Sequence, residues 1–323
     1  MAEKYYAYAV ARIRSKEMQL LDTQFINQLM AAPGYNECIK MLLDKGWGKE
    51  GITELEQILK YEQDKTWAFI SELVENVSEF DVMLIPNDYH NLKAAIKMVY
   101  SGLDKEKSLF THRGTISAET ILKAIKKQDY SLLPEHMRFS ASEAYKVLTE
   151  TGDGQLCDLI IDKAALEALY SAGKKKTDDV LKLFCEMKIG SSNIKIAVRA
   201  QRTGKSMEWI KRALAPCDTL DIERLSQAAV LGFEELCEYL GHTEYAEGVD
   251  DLKHSLSHFE RWCDNKLIHA IQPQKYNPFS IGPIAAYLLA RQNEIKTVRI
   301  ILLGKLNGIS DQVIRERLRI MYV

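Results

Sequence analysis

The 323-residue sequence predicts an all-α protein made of three similar helical modules. Apolar residues recur at positions i, i+3 and i+4 along much of the chain, which is the spacing of helices packed on one face. No segment of useful length alternates apolar and polar residues as a half-buried strand does. A pair of short polar signatures also recurs three times at a regular interval. Together these observations give the predicted fold class.

The repeated signatures set the length of the module. The first is an Asp followed by a Lys, and it occurs at Asp64-Lys65, Asp162-Lys163 and, with one inserted residue, Asp264-Asn265-Lys266. The second is a polar residue, a branched apolar residue and a Lys, and it occurs at Asn91-Leu92-Lys93, Asn193-Ile194-Lys195 and Glu294-Ile295-Lys296. Intervals of 102 and 101 residues separate the members of the second series. This period exceeds the ~20–50 residues of a solenoid unit and suits a whole small domain.

We therefore expect three modules, at residues 1–108, 109–213 and 214–323. The polar and charged stretch 101–114 marks the first boundary, and the stretch 203–216 marks the second less clearly. In the first module, Thr53 and Glu56 have the spacing of a capping box at the start of a helix. The pair Gly34-Tyr35 opens an earlier helix, and Gly232-Phe233 repeats this arrangement in the third module.

Helix limits are also predicted in the second and third modules. Ser117 or Thr115 is expected to cap one helix, and Ser140 with Glu143 has the spacing of a second capping box. Near the end of the chain, one helix face is expected to carry Ile284, Leu288, Ile295, Val298, Leu302 and Leu306. Gly308 should end that helix. The last helix should then begin at Ser310 or Asp311.

The overall composition is that of a globular protein with a sizeable core. Apolar residues make up 46% of the chain and charged residues 27%, with a net charge of −2. So small a net charge predicts no general attraction to nucleic acid or acidic lipid. Six widely spaced cysteines predict buried free thiols rather than disulfides. We expect no signal peptide, and the uncharged segment 276–290 is too short to span a bilayer. Any membrane contact is therefore expected to pass through another protein.

Three motifs could carry chemistry, and each has a simpler structural explanation. The segment 46–51 fits the G-x-G-x-x-G pattern but follows a helical run instead of a strand, so a turn is expected there. His254 and His258 are four residues apart and could share a helix face that holds a metal, although no further ligand can be named. The basic segment 174–176 could contact phosphate but is expected to be solvated. We predict no catalytic residues, no cofactor and no metal.

The repeated signatures have two possible roles. Polar residues at matched places can tie helices together within each module, through a cap or a buried ion pair. Alternatively, the three sets of residues could line one central opening and face a ligand. An enzyme rarely keeps three equivalent active sites in one chain, so the structural role is preferred.

The third module carries a recognisable ending. The segment 278–308, with Arg291-Gln292-Asn293-Glu294-Ile295-Lys296 near its centre, resembles the C-terminal signature of the C subunits of archaeal and bacterial V/A-type rotary ATPases. The segments 8–14 and 314–319 are similar to the opening and the close of that family, whose eukaryotic counterpart is the d subunit of the vacuolar ATPase. Members of the family usually have Arg-Glu where this chain has Arg291-Gln292-Asn293-Glu294, which is a small departure.

The resemblance implies a non-catalytic component of a proton- or sodium-translocating ATPase. Three helical domains would form a funnel with pseudo-threefold symmetry. The wide side would receive the rotating shaft, made of the D and F subunits, and the narrow side would rest on the membrane ring of proteolipid subunits. Exposed aromatic residues are candidates for partner contacts, namely Trp47, Tyr130 and Tyr276. The alternative hypothesis is a cytosolic helical enzyme that uses a metal held by His254 and His258.

Overall fold

The computed structural model describes residues 2–102, 110–111 and 113–323, with side chains from residue 6 onward. The all-α prediction is confirmed, because these residues form helices and no strand. In chain order the helices are α1 (Ala2–Glu17), α2 (Thr23–Ala31), α3 (Tyr35–Asp44), α4 (Leu55–Leu73), α5 (Ile85–Ser101), α6 (Ala118–Lys127), α7 (Glu135–Thr151), α8 (Gly154–Lys174), α9 (Asp179–Arg202), α10 (Met207–Ala213), α11 (Ile222–Leu231), α12 (Phe233–Leu240), α13 (Val249–His254), α14 (Leu256–Ile271), α15 (Gly282–Leu306) and α16 (Asp311–Arg315).

The chain divides into two compact units. Unit 1 contains Met1–Val77, Asp178–Val180 and Gly248–Val323, and unit 2 contains Ser78–Thr177 and Leu181–Glu247. Unit 1 therefore includes both ends of the chain. The division into three modules stays a prediction, and its first boundary, at residue 108, lies outside the described residues.

The core of unit 1 is built from the beginning and the end of the sequence. Leu29 and Ile58 come from the first quarter of the chain, Val298 and Leu302 come from α15, and all four belong to one buried cluster. Each of these side chains is at most 1% exposed. Full burial of one such residue is worth about 1.5–3 kcal/mol, so this cluster fixes α15 against α2, α3 and α4.

The core of unit 2 joins α5 to the helices that follow it. Leu92 and Ile96 of α5 share one buried cluster with Ile125 of α6 and Ile161 of α8. The arrangement parallels that of unit 1, where α15 packs on α4. Each of these two helices, α5 and α15, carries a second signature. Helix α15, however, packs on helices from the start of the sequence.

Helix starts follow the predictions in part. Ser117 caps α6 as expected, because its side chain accepts a hydrogen bond from the backbone N–H of Thr120. The capping box at Thr53 is wrong, since Glu54 is the N-cap residue of α4 and makes no side-chain cap bond. The capping box at Ser140 is also wrong. Helix α7 begins directly after Pro134, so Ser140 lies inside the helix and donates to the carbonyl oxygen of Met137.

The helices that carry the second signature end in the same way. Gly102, Gly204 and Gly308 follow α5, α9 and α15 with φ values of 66°, 61° and 63°. After α15, the backbone N–H of Ile309 donates to the carbonyl oxygen of Gly304 at 2.9 Å, which is the bond of a Schellman motif. The predicted end at Gly308 is therefore confirmed, and Ser310 is the N-cap residue of α16 as expected.

Gly190 tests the packing of unit 2, because a Cβ atom at this position would lie 1.9 Å from the hydroxyl oxygen of Tyr245. Tyr245 is 1% exposed and has little room to move. We expect Gly190→Ala to destabilise the protein by about 1–3 kcal/mol through overpacking, although alanine is the better helix former. Gly154→Ala is the control, since no atom lies within 4 Å of its added Cβ. Urea unfolding followed by circular dichroism gives both values. An equal or higher midpoint for Gly190→Ala than for Gly154→Ala would contradict this packing.

Candidate functional site

The first residue of each second signature, Asn91, Asn193 and Glu294, is called an anchor residue below. The backbone N–H of Thr111 donates to Oδ1 of Asn91 at 2.7 Å, and Nδ2 of Asn91 donates back to the carbonyl oxygen of Thr111 at 3.1 Å. Asn193 makes the same pair of bonds with Ala215, at 3.1 Å and 2.8 Å. Both backbone partners lie six residues before the N-cap residue of a following helix. Each anchor therefore holds the segment that enters that helix.

The third anchor holds the beginning of the chain. The backbone N–H of Leu21 donates to Oε1 of Glu294. Leu21 directly precedes Asp22, the N-cap residue of α2. The partner is thus one residue before a cap instead of six, but it lies in the same kind of segment. Leu21, near the start of the sequence, therefore occupies the place that a connecting segment occupies at the other two anchors.

The anchors are too deeply buried to face a ligand. Asn91 is 1% exposed, Asn193 is 0% exposed and Glu294 is 1% exposed. The hypothesis that these residues line an opening is therefore wrong for all three anchors. Their role is structural, since each satisfies backbone groups that would otherwise be buried without a partner.

The signature lysines and aspartates also pair with each other. Lys93 contacts Asp162 at 2.6 Å, and Lys296 contacts Asp264 at 2.6 Å. The second pair lies within the predicted third module, as expected. The first pair crosses the predicted boundary at residue 108, as do the bonds of Asn91. The expectation that all ties lie within one module is therefore wrong.

A buried ion cluster surrounds the third anchor. It consists of Glu62 on α4 with Arg291 and Glu294 on α15, and the guanidinium of Arg291 contacts both carboxylates. The guanidinium also lies 4.7 Å from the ring centroid of Trp47, and its Nε donates to the hydroxyl of Thr66 at 3.2 Å. With both carboxylates ionised the cluster has a net charge of −1. Burial raises the pKa of Glu294 to about 7, against the opposing attraction of Arg291.

A cleft of about 970 Å³ opens beside this cluster in unit 1. Trp47 and Arg291 form part of its wall, and Met18, which is 88% exposed, lies at its lining. Its charged side chains carry both signs, and they are Arg12, Lys16, Asp44, Lys45, Glu62, Asp64, Lys65, Glu72 and Arg291. A mixed lining of this kind selects neither small anions nor cations.

The three aromatic candidates have different environments. Trp47 is 2% exposed, so its proposed role as a surface contact is wrong. It lies between Gly46 and Gly48, which have φ values of 77° and 74°, in the turn after α3. The turn predicted for the segment 46–51 is thus confirmed. Tyr130 is half-buried, whereas Tyr276 is 88% exposed as expected.

The two histidines do not share one helix, and that prediction is wrong. Helix α13 ends at His254, and Ser255 has extended backbone angles before α14 begins. Nδ1 of His254 lies 3.1 Å from the carbonyl oxygen of Asp250, and Nδ1 of His258 lies 2.8 Å from the hydroxyl of Ser255. Within residues 2–102, 110–111 and 113–323, no group of three or more His, Cys, Asp or Glu side chains could hold a metal.

The lysines of the basic segment 174–176 contact other residues of the protein, and the cysteines are free. Lys174 contacts Asp218 at 2.5 Å, and Lys176 contacts Glu79 at 3.1 Å, so these lysines of segment 174–176 have protein partners. All six cysteines are free thiols. Burial raises the pKa of Cys157 to about 11 and that of Cys185 to about 12, which makes both thiols unreactive. No helix in the described part of the chain is both long and apolar enough to cross a bilayer.

Comparison with known proteins identifies relatives over nearly the whole length. The model of the ATP synthase (C/AC39) subunit family matches residues 9–317. The C subunit of the A-type ATP synthase of Methanocaldococcus jannaschii is 25% identical, over 97% of this chain and 86% of the relative. The C subunit of the V-type sodium ATPase of Enterococcus hirae is 22% identical, over 96% and 97%. The C subunit of the V-type ATP synthase of Thermus thermophilus is 24% identical, over 93% of each chain.

The anchors can be tested with Asn193→Leu, which keeps a similar volume but removes both hydrogen bonds to Ala215. We expect a loss of about 2–4 kcal/mol in the free energy of unfolding, because a buried N–H and a buried C=O lose their partners. Asn36→Leu makes the same change at an exposed position of α3 and should alter stability by less than about 0.5 kcal/mol. Urea denaturation measures both. Similar midpoints for the two variants would show that Asn193 is not an anchor.

The ion cluster predicts a specific pH dependence. The pKa of Glu294 is raised in the folded state to about 7, above its ordinary value of 4.5. The stabilising contribution is therefore complete below about pH 4.5 and is lost as the pH rises through 7. Compared with Glu294→Gln, the wild type should lose up to about 3 kcal/mol of unfolding free energy between pH 5 and pH 8. Urea titrations of both proteins at several pH values test this difference. A constant difference, or one that grows with pH in favour of the wild type, would refute the shift.

Proposed function

The chain belongs to the ATP synthase (C/AC39) subunit family, and we propose that it is the central-stalk rotor component of a V/A-type rotary ATPase. In this proposal it forms a socket that joins the rotating shaft, made of the D and F subunits, to the membrane proteolipid ring. It would lie on the cytoplasmic side and reach the membrane only through the complex. Torque from the shaft would pass through the socket to the ring and drive ion transport coupled to ATP synthesis or hydrolysis.

The observation that carries the proposal is the extent of the family match, which covers residues 9–317. As a member of this family, the chain is a non-catalytic part of a rotary ATPase complex. The relatives include members of A-type and V-type ATP synthases and of a V-type sodium ATPase. The metal-dependent enzyme is therefore excluded as the chain's function.

The contacts within each unit suit a part that transmits force. A coupling must resist deformation, and close-packed interiors have low compressibility. The anchors add a second restraint, because Asn91 and Asn193 each fix a connecting segment with two hydrogen bonds. Connecting segments are ordinarily the mobile parts of a protein. Fixing them makes each group of helices move as one body.

The cleft of unit 1 is the preferred place for a soluble shaft in this proposal. Its lining carries charges of both signs, and charged groups at a protein interface favour association in water with the correct partner. The floor beside Trp47 is supported by the buried ion cluster, so the cleft is formed before a partner arrives. A preformed surface loses less conformational entropy on binding.

The proposal predicts the behaviour of the ATPase complex without this chain. Removing the chain should detach the soluble head from the membrane and abolish ATP-driven ion pumping, while the detached head continues to hydrolyse ATP. Returning the purified chain should restore pumping. Ion uptake by vesicles and ATP hydrolysis are measured side by side. Pumping at the normal rate by a complex that lacks the chain would refute the role.

A further inference from the structure

The buried ion cluster of unit 1 has one negative charge too many when both of its carboxylates are ionised. The side chains of Arg291, Glu62 and Glu294 are 7%, 1% and 2% exposed. A guanidinium keeps its proton at any ordinary pH, and its single charge matches only one of the two carboxylates. A buried carboxylate without a matching cation is unfavourable, and taking up a proton removes its charge. The cluster is therefore built to bind one proton.

Of the two carboxylates, Glu294 is the less well compensated. Glu62 contacts a second cation, Lys65, at 3.3 Å, and it accepts the backbone N–H of Gly48 at 2.8 Å. Glu294 shares Arg291 with Glu62 and accepts the backbone N–H of Leu21. Burial raises the pKa of Glu294 to about 7 against the attraction of Arg291, and the negative charge of Glu62 adds to the rise. Glu294 is therefore the carboxylate that takes up the proton.

The helices packed against α15 bring further charged groups to it. They are Glu17 of α1 with its partner Arg14, Asp44 of α3, Glu62 and Lys65 of α4, and Asp264 of α14 and Asp311 of α16 with their partners Lys296 and Lys305 on α15. Tyr287, on α15 itself, stays neutral, because burial raises its pKa to about 12. No histidine is among the described residues that line the cleft beside the cluster. Near neutral pH, the proton of the cluster is therefore exchanged at Glu294.

Proton uptake changes the contacts of Glu294, because both of its oxygens already accept a hydrogen bond. One bond comes from the N–H of Leu21 and the other from Nη1 of Arg291. A protonated carboxyl has an O–H donor in place of one acceptor, so one of these bonds is lost. Arg291 keeps other partners, since its Nη2 donates to Glu62 and its guanidinium lies 4.7 Å from the ring centroid of Trp47. Loss of the other bond would leave the buried N–H of Leu21 unpaired. The proton therefore binds on the side of Arg291, and the bond to Leu21 remains.

The change takes place in the wall of the cleft of unit 1. Arg291, Glu62 and Trp47 all line this cleft. Its lining has five cationic and four anionic side chains, so their charges cancel when the ionised Glu294 behind the wall is included. Protonation of Glu294 leaves the cleft with a formal charge of +1. The same proton thus alters both the contacts of the wall and the charge of the cleft.

We propose that proton uptake by Glu294 is a switch that sets the charge of this cleft and the position of Arg291 in its wall. In the ionised state Arg291 bridges two carboxylates and the cleft is neutral. In the protonated state Arg291 pairs with Glu62 and the cleft is cationic. An anionic occupant is therefore favoured as the pH falls through 7, and by linkage it raises the proton affinity of Glu294. The switch belongs to the chain itself and goes beyond the proposed function, whichever partner occupies the cleft.

The indole N–H of Trp47 reports the switch in nuclear magnetic resonance spectra of the full chain, because its ring contacts the guanidinium of Arg291. The chain has four tryptophans, and the signal that disappears in Trp47→Phe is assigned to this residue. The spectra are recorded between about pH 5.5 and 8.5. The wild-type signal of Trp47 should titrate with a midpoint near pH 7, whereas that of Trp209, in unit 2, should stay constant. Glu294→Gln presents a fixed N–H donor to Arg291. Its Trp47 signal should not depend on pH and should match the acid limit of the wild type.

Glu62→Gln tests the charge imbalance. This variant leaves one carboxylate for Arg291, so ionised Glu294 is then matched, and the midpoint should fall by at least about one pH unit. Glu72→Gln is the matched control on the same helix, because Glu72 also lines the cleft but has a side chain that is 66% exposed. Solvent screens an exposed charge, so this change should move the midpoint by less than about 0.3 pH unit.

Three results would overturn the switch. The first is a wild-type Trp47 signal that does not change over this pH range. The second is a titration of this signal in Glu294→Gln like that of the wild type. The third is an equal shift of the midpoint by Glu62→Gln and Glu72→Gln. The third comparison decides the matter even if Glu294→Gln does not fold, because it uses only variants that keep Glu294.

Discussion

The structure depends on hydrogen bonds to the backbone of the segments that connect one set of helices to the next. Three connecting segments each have a backbone N–H that donates to the side chain of a buried anchor. Asn91 and Asn193 satisfy both the N–H and the C=O of one residue, and Glu294 accepts the N–H of Leu21. An unpaired buried group costs about 1–3 kcal/mol. The polar residues at these three matched positions therefore have a structural role.

The third of these contacts explains why unit 1 contains both ends of the chain. The anchor on α15 holds Leu21, which lies near the start of the sequence. The aliphatic residues of α15 pack in the same core as those of α2, α3 and α4. The change from Asn to Glu at this anchor brings a charge into the interior. Arg291 accompanies it and joins Glu294 to Glu62 on α4.

The sequence alone predicted the fold class, the repeated signatures and several helix limits, because these follow from local patterns. The N-cap at Ser117 and the helix end at Gly308 depend only on neighbouring residues in the sequence. The predictions for Trp47 and Ser140 are wrong because the environment of each residue depends on more than its own local pattern. The burial of Trp47 depends on Arg291, far away in the sequence, and the start of α7 at Pro134 makes Ser140 an interior residue. The partners of the anchors could not be predicted from local patterns either. The bond between Glu294 and Leu21, for example, joins residues 273 positions apart.

The most direct test of this account is amide hydrogen exchange at Leu21, Thr111 and Ala215, the three backbone N–H groups that the anchors hold. If the anchors are equivalent, all three amides exchange only through the global unfolding of the core that contains them. Substituting one anchor should then accelerate exchange at its own partner first. Rapid exchange of Leu21 in the wild type, with Thr111 and Ala215 protected, would show that the start of the chain is a loose end and not the partner of α15.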